Sequence, residues 1–324
     1  CLESILNCTY KNIEIIVVND ASPDNASEIA KSYAEQDQRI HLVEHERNMG
    51  LYLARITGAK ASQGEYLAFL DSDDHVSVDL YRRLIEKAQK SNSDMVIGEI
   101  YLQNENIYSY FNLSHVRLLD IDAKGEDASK LLFDQYGMDF TIHVVWNKIY
   151  RRDLWNNCIK YFEMQKSHIV MCEDVLYSSI LFYFAQHITN IHGDFVYYVQ
   201  NKESITSLID GNVKKYNKNI DDICSVFDVL KHIFCEELHD CKYWKNILKW
   251  KELLLSIWCD NIDLAKLPIW EKRKLRLKLM DCLRKESLKR KCSKNFFYSV
   301  TTNLNCIPSE LLKEKIVGKD IQIV

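Results

Sequence analysis

The alternation of short apolar runs with amphipathic segments over the first hundred residues constrains the fold more than any other feature. Glu14-Ile15-Ile16-Val17-Val18-Asn19-Asp20 is a β-branched run ending in polar residues, the pattern of a buried strand. Ser22-Pro23-Asp24 has the chemistry of a helix start, with Ser as the cap, Pro first in the helix and Asp in the first turn. Ala26, Ile29, Ala30 and Tyr33 form that helix's apolar stripe. Ile40 to Val43 reads as a second strand, Leu51 to Ala61 as a helix entered through Asn48-Met49-Gly50, and Tyr66 to Leu70 as a third strand. Ser77 is placed to cap the next helix, whose Leu80, Tyr81, Leu84, Ile85 and Ala88 share a face, and Asp94 to Gly98 reads as a fourth strand. This spacing predicts βαβ units and an α/β fold with an open, mostly parallel sheet flanked by helices. In such sheets ligands sit beyond the carboxyl ends of the strands.

Two acidic groups fall on that edge. Asp20 ends the first strand, and Asp71-Ser72-Asp73-Asp74 ends the third. Asp is a poor strand residue, and closely spaced carboxylates repel one another and resist desolvation. A divalent cation relieves both problems. Hard oxygen ligands on one tight turn suit Mg²⁺ or Mn²⁺, and such an ion usually brings a phosphate with it. A solvated acidic turn capping the next helix also satisfies the pattern, but the edge shared with Asp20 favours a site. Further on, Glu173-Asp174 opens the apolar helix from Val175 to Phe184, where a carboxylate pair also complements the helix dipole. Trp146 suits a core or a sugar-stacking platform, and Lys148, Arg151 and Arg152 suit a solvated basic turn or a phosphate-bearing acceptor. Residues 102–125 read as an irregular connection, residues 195–199 as a late strand, and most of the chain beyond residue 210 as helix.

A chain of 324 residues with 47% apolar content holds one large domain or two smaller ones. Its net charge of −4 and pI near 6.2 exclude a general nucleic-acid binder. The 11 cysteines show neither a C-x-x-C pair nor zinc spacing, so free thiols in a reducing compartment are expected. No apolar run has bilayer-spanning length and no signal peptide is apparent, so the expected location is cytoplasmic. Charge is uneven. Residues 242–294 carry 16 Lys/Arg against 6 Asp/Glu, interleaved with Trp244, Trp250, Trp258 and Trp270. That composition fits an amphipathic bundle with a solvated basic face, and it also fits peripheral contact with the anionic inner face of a cell membrane.

Together these residues resemble inverting family 2 glycosyltransferases of the GT-A fold. The stretches Cys1 to Leu6 and Thr9 to Asp24, Asn48-Met49-Gly50 through Arg55, and Gly64-Glu65-Tyr66 leading to Asp71-Ser72-Asp73-Asp74 look like that family's opening. Trp146-Asn147-Lys148-Ile149-Tyr150, Glu173-Asp174 and Ser204-Ile205-Thr206 match later landmarks in the same order. The resemblance implies a GT-A domain over residues 1–208 and a helical C-terminal region over residues 209–324. Family members have an earlier strand with a Pro-x-Tyr-Asn-like end, so a central strand is expected upstream of Cys1. Cys172 stands where a Gly commonly precedes the acidic pair, and Ile56-Thr57 follow Arg55 where the family often has Asn.

The activity implied is transfer of a sugar from a nucleotide-activated donor, a UDP-sugar first, to a hydroxyl of a glycan or lipid-linked acceptor in surface-polysaccharide synthesis. Asp73 would ligate Mg²⁺ or Mn²⁺ directly, Asp71 would bind the ribose or a metal-bound water, and Asp74 would orient the turn. Asp20 would accept hydrogen bonds from the nucleotide base. Arg55 would lie near the diphosphate or on the helix surface. Inversion by direct displacement needs one base; Asp174 is the candidate, kept ionised by its helix start, with Glu173 positioning it or the acceptor. The retaining route needs a placed nucleophile, and the sequence offers none. Two other readings use the same residues: a nucleotidyltransferase, whose Gly-rich triphosphate loop is not visible, and a non-catalytic glycosyltransferase-like subunit that binds a partner or membrane through its basic tail.

Overall fold

The computed structural model describes residues 1–104, 107–110, 120–199 and 211–287. The chain opens on α1 (Leu2–Leu6), then β1 (Ile15–Asn19), α2 (Ala26–Gln36), β2 (Ile40–Glu44) and α3 (Leu51–Ala61). Next come β3 (Tyr66–Ala68), the short β4 (His75–Val76), α4 (Leu80–Ser91), β5 (Met95–Asn104) and β6 (Ile107–Tyr110). β7 (Asp122–Lys124) and α5 (Glu126–Lys130) lead to β8 (Lys148–Arg151), α6 (Arg152–Phe162), α7 (Glu173–Phe184) and β9 (His187–Val199). The helices α8 (Val213–Lys231), α9 (Trp244–Leu264) and α10 (Ile269–Ser287) follow.

β1 and β2 pair in parallel, from Ile15 opposite Ile40 to Asn19 opposite Glu44. The remaining strands form a seven-stranded sheet ordered β3-β8-β5-β9-β4, with β6 beside β5 and β7 beside β9. Within it only β5 and β9 run parallel; the other pairs are antiparallel. The α/β class holds, while the expected mostly parallel sheet is a mixed one. Strand direction was hidden because a strand covered on both faces is apolar whichever way it runs. Among the described residues, β1 pairs only with β2 and β3 only with β8, so each keeps one edge without a strand partner.

Local details differ from expectation for physical reasons. Ala21 adopts φ +53°, and the turn it makes aims the Ser22 N–H at Asn19 Oδ1. The helix therefore begins at Ala26, whose N–H donates to Asp24 Oδ1. Ser77 caps nothing: its hydroxyl donates to Asp194 and accepts from the Phe195 N–H, fastening the approach to α4 against β9. The connection expected over residues 102–125 instead contains the end of β5, then β6 and β7.

Two apolar clusters pack the molecule. The smaller one gathers Ile5, Ile15, Ile40, Leu84 and Val96 around α1, α4 and the β1–β2 pair. The larger runs without a break from Tyr52, Trp155, Phe162 and Tyr177 on α3, α6 and α7 to Ile220, Trp250 and Leu275 on α8, α9 and α10. The boundary expected at residues 208 and 209 lies outside the described residues, as do Ser204-Ile205-Thr206. Cys224 on α8 and Cys282 on α10 form a disulfide, which corrects the expectation of free thiols throughout. A separation of 58 residues carries no local signal of that pairing. Among the described residues, no helix is long and apolar enough to cross a membrane.

Candidate active site

Gly50 precedes α3 with a φ of +89°, and a Cβ there would fall 2.5 Å from the His168 ring. Arg55 follows one turn later. It is the centre of the site: Nη2 donates to Asp71 Oδ1 at 2.8 Å, and Nη1 donates to Asp174 Oδ1 at 2.9 Å and Glu173 Oε1 at 3.4 Å. Arg55 is neither a surface residue nor an open one; it is 6% exposed. Burial opposes its charge, but Asp174, Asp71 and Glu173 outweigh that and raise its pKa.

Glu173 and Asp174 are the first two residues of α7, and the residue before them, Cys172, has φ +64°. A left-handed Cys explains why glycine suits this position. Burial raises the pKa of both carboxyls, their mutual proximity raises that of Glu173 further, and Arg55 pulls both back down without cancelling the rise. The helix start alone therefore does not set the charge of Asp174. Both side chains keep a window to solvent, at 12% and 21% exposure.

The turn after β3 separates its carboxylates by role. Asp74 is buried: its N–H donates to Asp71 O at 3.1 Å, its Oδ1 accepts from the Val199 N–H at 2.9 Å, and its Oδ2 has no partner among the described residues. Desolvation pushes its pKa up to about 7. Asp74 thus ties the turn to Val199. Asp73 is exposed and has no hydrogen-bond or ion-pair partner among the described residues, while Asp71 gives only Oδ1 to Arg55. No three metal-capable side chains converge among the described residues. Two carboxylates with open oxygens on one turn fit Mg²⁺ or Mn²⁺ that keeps waters and shares phosphate oxygens, not an ion held in an all-protein cage.

Asp20 lies at the end of β1 and is largely occupied. Its Oδ1 accepts from His45 Nδ1 and the Met49 N–H, and its Oδ2 from the Gly50 N–H, each at 2.7 Å. Its burial raises the carboxyl pKa, yet these hydrogen bonds win and hold it below the ordinary range. His45 Nε2 reaches Thr57 Oγ1 at 2.9 Å, so a histidine that no motif marks couples β2, Asp20 and α3.

The basic turn is only partly solvated: Arg151 and Arg152 are half-buried. Lys148 is buried, donating to Val144 O and Asn147 Oδ1, and burial lowers its pKa to about 7 although Asp174 and Asp139 oppose that. Arg151 donates to Asn92 Oδ1 and Ser93 O, and Arg152 to Gly64 O. Trp146 is buried and stacks on Tyr198 at 5.6 Å, the core reading.

A mixed α/β sheet that brings an arginine together with three carboxylates at one site has the architecture of a GT-A transferase. Residues 1–158 match the family model described as Glycosyl transferase family 2, and this segment of the chain belongs to that family. The uncharacterized glycosyltransferase EpsJ of Bacillus subtilis is 33% identical over 210 residues, covering 64% of this chain and 58% of that protein. Glycosyltransferase GlyA of Streptococcus pneumoniae is 36% identical over 157 residues, covering 48% of this chain and 22% of that protein. The chain thus spans less than two thirds of these relatives. Among solved structures, S. aureus TarS 1–349 in complex with UDP-GlcNAc superimposes with a TM-score of 0.53 at 16% identity, over 87% of this chain and 84% of that one. That likeness shows the fold.

Proposed function

We propose that this protein transfers a sugar from a nucleoside-diphosphate sugar to an acceptor hydroxyl with inversion, in the synthesis of a surface polysaccharide. The observation that carries the reading is the Arg55 clamp, which ties α3 to the turn after β3 through Asp71 and to the start of α7 through Glu173 and Asp174, in one half-open crevice. The glycosyltransferase relatives and the fold shared with a sugar-nucleotide complex support it.

Asp174 has Oδ1 tied to Arg55, which leaves Oδ2 to take the acceptor's hydroxyl proton. A pKa raised by burial brings this base closer to the working pH, while Arg55 keeps a share of it ionised. Glu173 shares the guanidinium and sets the direction of Asp174. Arg55 also anchors Asp71, so the donor and acceptor halves of the crevice keep a fixed spacing. Asp73 and Asp71 would hold Mg²⁺ or Mn²⁺, which when bound supplies positive charge to stabilise the departing nucleoside diphosphate. Asp20 Oδ2, with a single donor among the described residues, keeps capacity for an N–H of the nucleotide base, a UDP-sugar first.

The test is a screen of nucleotide sugars with Mg²⁺ and Mn²⁺ that follows the release of nucleoside diphosphate. Asp174→Asn is expected to lower turnover by about a thousandfold with donor affinity nearly unchanged. Asp73→Ala is expected to abolish cation-dependent nucleotide binding. Full turnover by the Asp174 variant removes the base from this scheme, and release of pyrophosphate in place of nucleoside diphosphate makes the enzyme a nucleotidyltransferase.

A further inference from the structure

α10 has two apolar sides. Leu275, Leu279 and Cys282 are buried against α8 and α9, which accounts for the helix's place in the bundle. The opposite side carries Trp270, Arg273, Lys274 and Leu277 at the i, i+3, i+4, i+7 spacing of one helical stripe, all exposed. The corner that joins α9 to α10 adds Leu264 and Ile269, at 71% and 83% exposure. Of the nine large apolar side chains that are exposed among the described residues, four sit on this corner and stripe. Elsewhere they are scattered singly, as on any protein surface.

Cations rim the patch. Lys266 and Arg273 have no ion-pair partner among the described residues, whereas Lys274, Arg276 and Lys278 are matched to Glu271, Asp263 and Asp221. A solvated helix face does not need tryptophan and isoleucine at its tip. A second protein surface is served poorly by long lysines between the apolar groups, because holding them still costs side-chain entropy. A bilayer surface is served well by both: the apolar tips enter the headgroup–acyl boundary, tryptophan prefers that level, and lysine and arginine reach anionic headgroups from beside them.

We infer that the α9–α10 corner and the Trp270–Leu277 stripe dock the protein on an anionic lipid bilayer. The occupant is identified by charge complementarity and by this mixture of exposed apolar tips with unmatched cations, and it is independent of the transfer reaction proposed above. Vesicle co-sedimentation of the whole chain, with no sugar donor present, tests it. Binding is expected to vesicles of 30:70 phosphatidylglycerol and phosphatidylcholine, with much weaker binding to phosphatidylcholine alone. The double substitution Ile269→Ser, Trp270→Ser should cut partitioning by at least about tenfold, since each removes one large apolar side chain from the interface. Lys266→Gln and Arg273→Gln should each cut it about fivefold at low salt and less at high salt. These sites are exposed, so unchanged thermal unfolding will show that the variants fold. Two results overturn the inference: a folded parent that stays in the supernatant, or a parent dimer that the Ile269 and Trp270 substitutions dissociate, which assigns the face to a second copy of the chain.

Discussion

Two parallel ladders in this molecule are held by different means. β5 and β9 pair through Met95, Val96, Ile97 and Ile188, all fully buried, with apolar clusters covering both faces. In β1 and β2 only Ile15 and Ile40 are buried. That pair is fastened at its carboxyl end, where Asp20 ties β1 to His45 and to the backbone at Met49 and Gly50. The contrast teaches that at the Asp20 end of β1 and β2, where apolar burial is thin, charged hydrogen bonds hold what packing holds elsewhere.

Trimming one residue from each ladder is the most direct way to break this contrast. Ile188→Ala is expected to lower stability by about 4 kcal/mol and Val17→Ala by about 1 kcal/mol; equal losses in urea unfolding would erase the distinction. Arg55→Met should follow, at about 3 kcal/mol at pH 8. Without the guanidinium, the raised folded-state pKa values of Glu173 and Asp174 climb further. A carboxyl with a raised folded-state value carries no penalty below its unfolded value and loses stability as pH rises through the folded one. The defect should therefore shrink by pH 5, and a loss independent of pH would mean that Arg55 acts through packing alone.

Asp20→Asn sharpens the other side of the comparison, with an expected loss of about 2 kcal/mol at neutral pH. Because the hydrogen bonds hold Asp20 below the ordinary carboxylate range, its contribution is present above the unfolded value and disappears as pH falls through the folded one. Parent and variant should converge in acid, as followed by thermal unfolding at a series of pH values. Ala21→Gly is the smallest effect. Releasing the left-handed φ of +53° should gain about 0.5 kcal/mol after the larger entropy of the unfolded chain is subtracted.

The elements from Ile15 to Gly98 were legible because their apolar periodicities are local, and Asp20 and the Asp71 turn stood out because strand-end carboxylates are rare for a physical reason. What escaped depends on distance along the chain. Nothing near Arg55 says that it will meet Asp71 after 16 residues and Asp174 after 119. His45 belongs to no motif, and Lys148 resembles the half-buried Arg151 and Arg152 in charge while being buried itself. Strand direction and the Cys224–Cys282 bond are likewise settled by which surfaces meet, not by composition.

Arg55 is a single cation serving three acidic side chains. Left alone, the crevice floor is dry and carries surplus negative charge, and bound hydrogen ions relieve both; the upward shifts of Glu173 and Asp174 express burial first and the neighbouring carboxylates second. Any positive species entering the crevice competes with those hydrogen ions for the same oxygens. Filling it should acidify an unbuffered solution, and acid should in turn keep it empty.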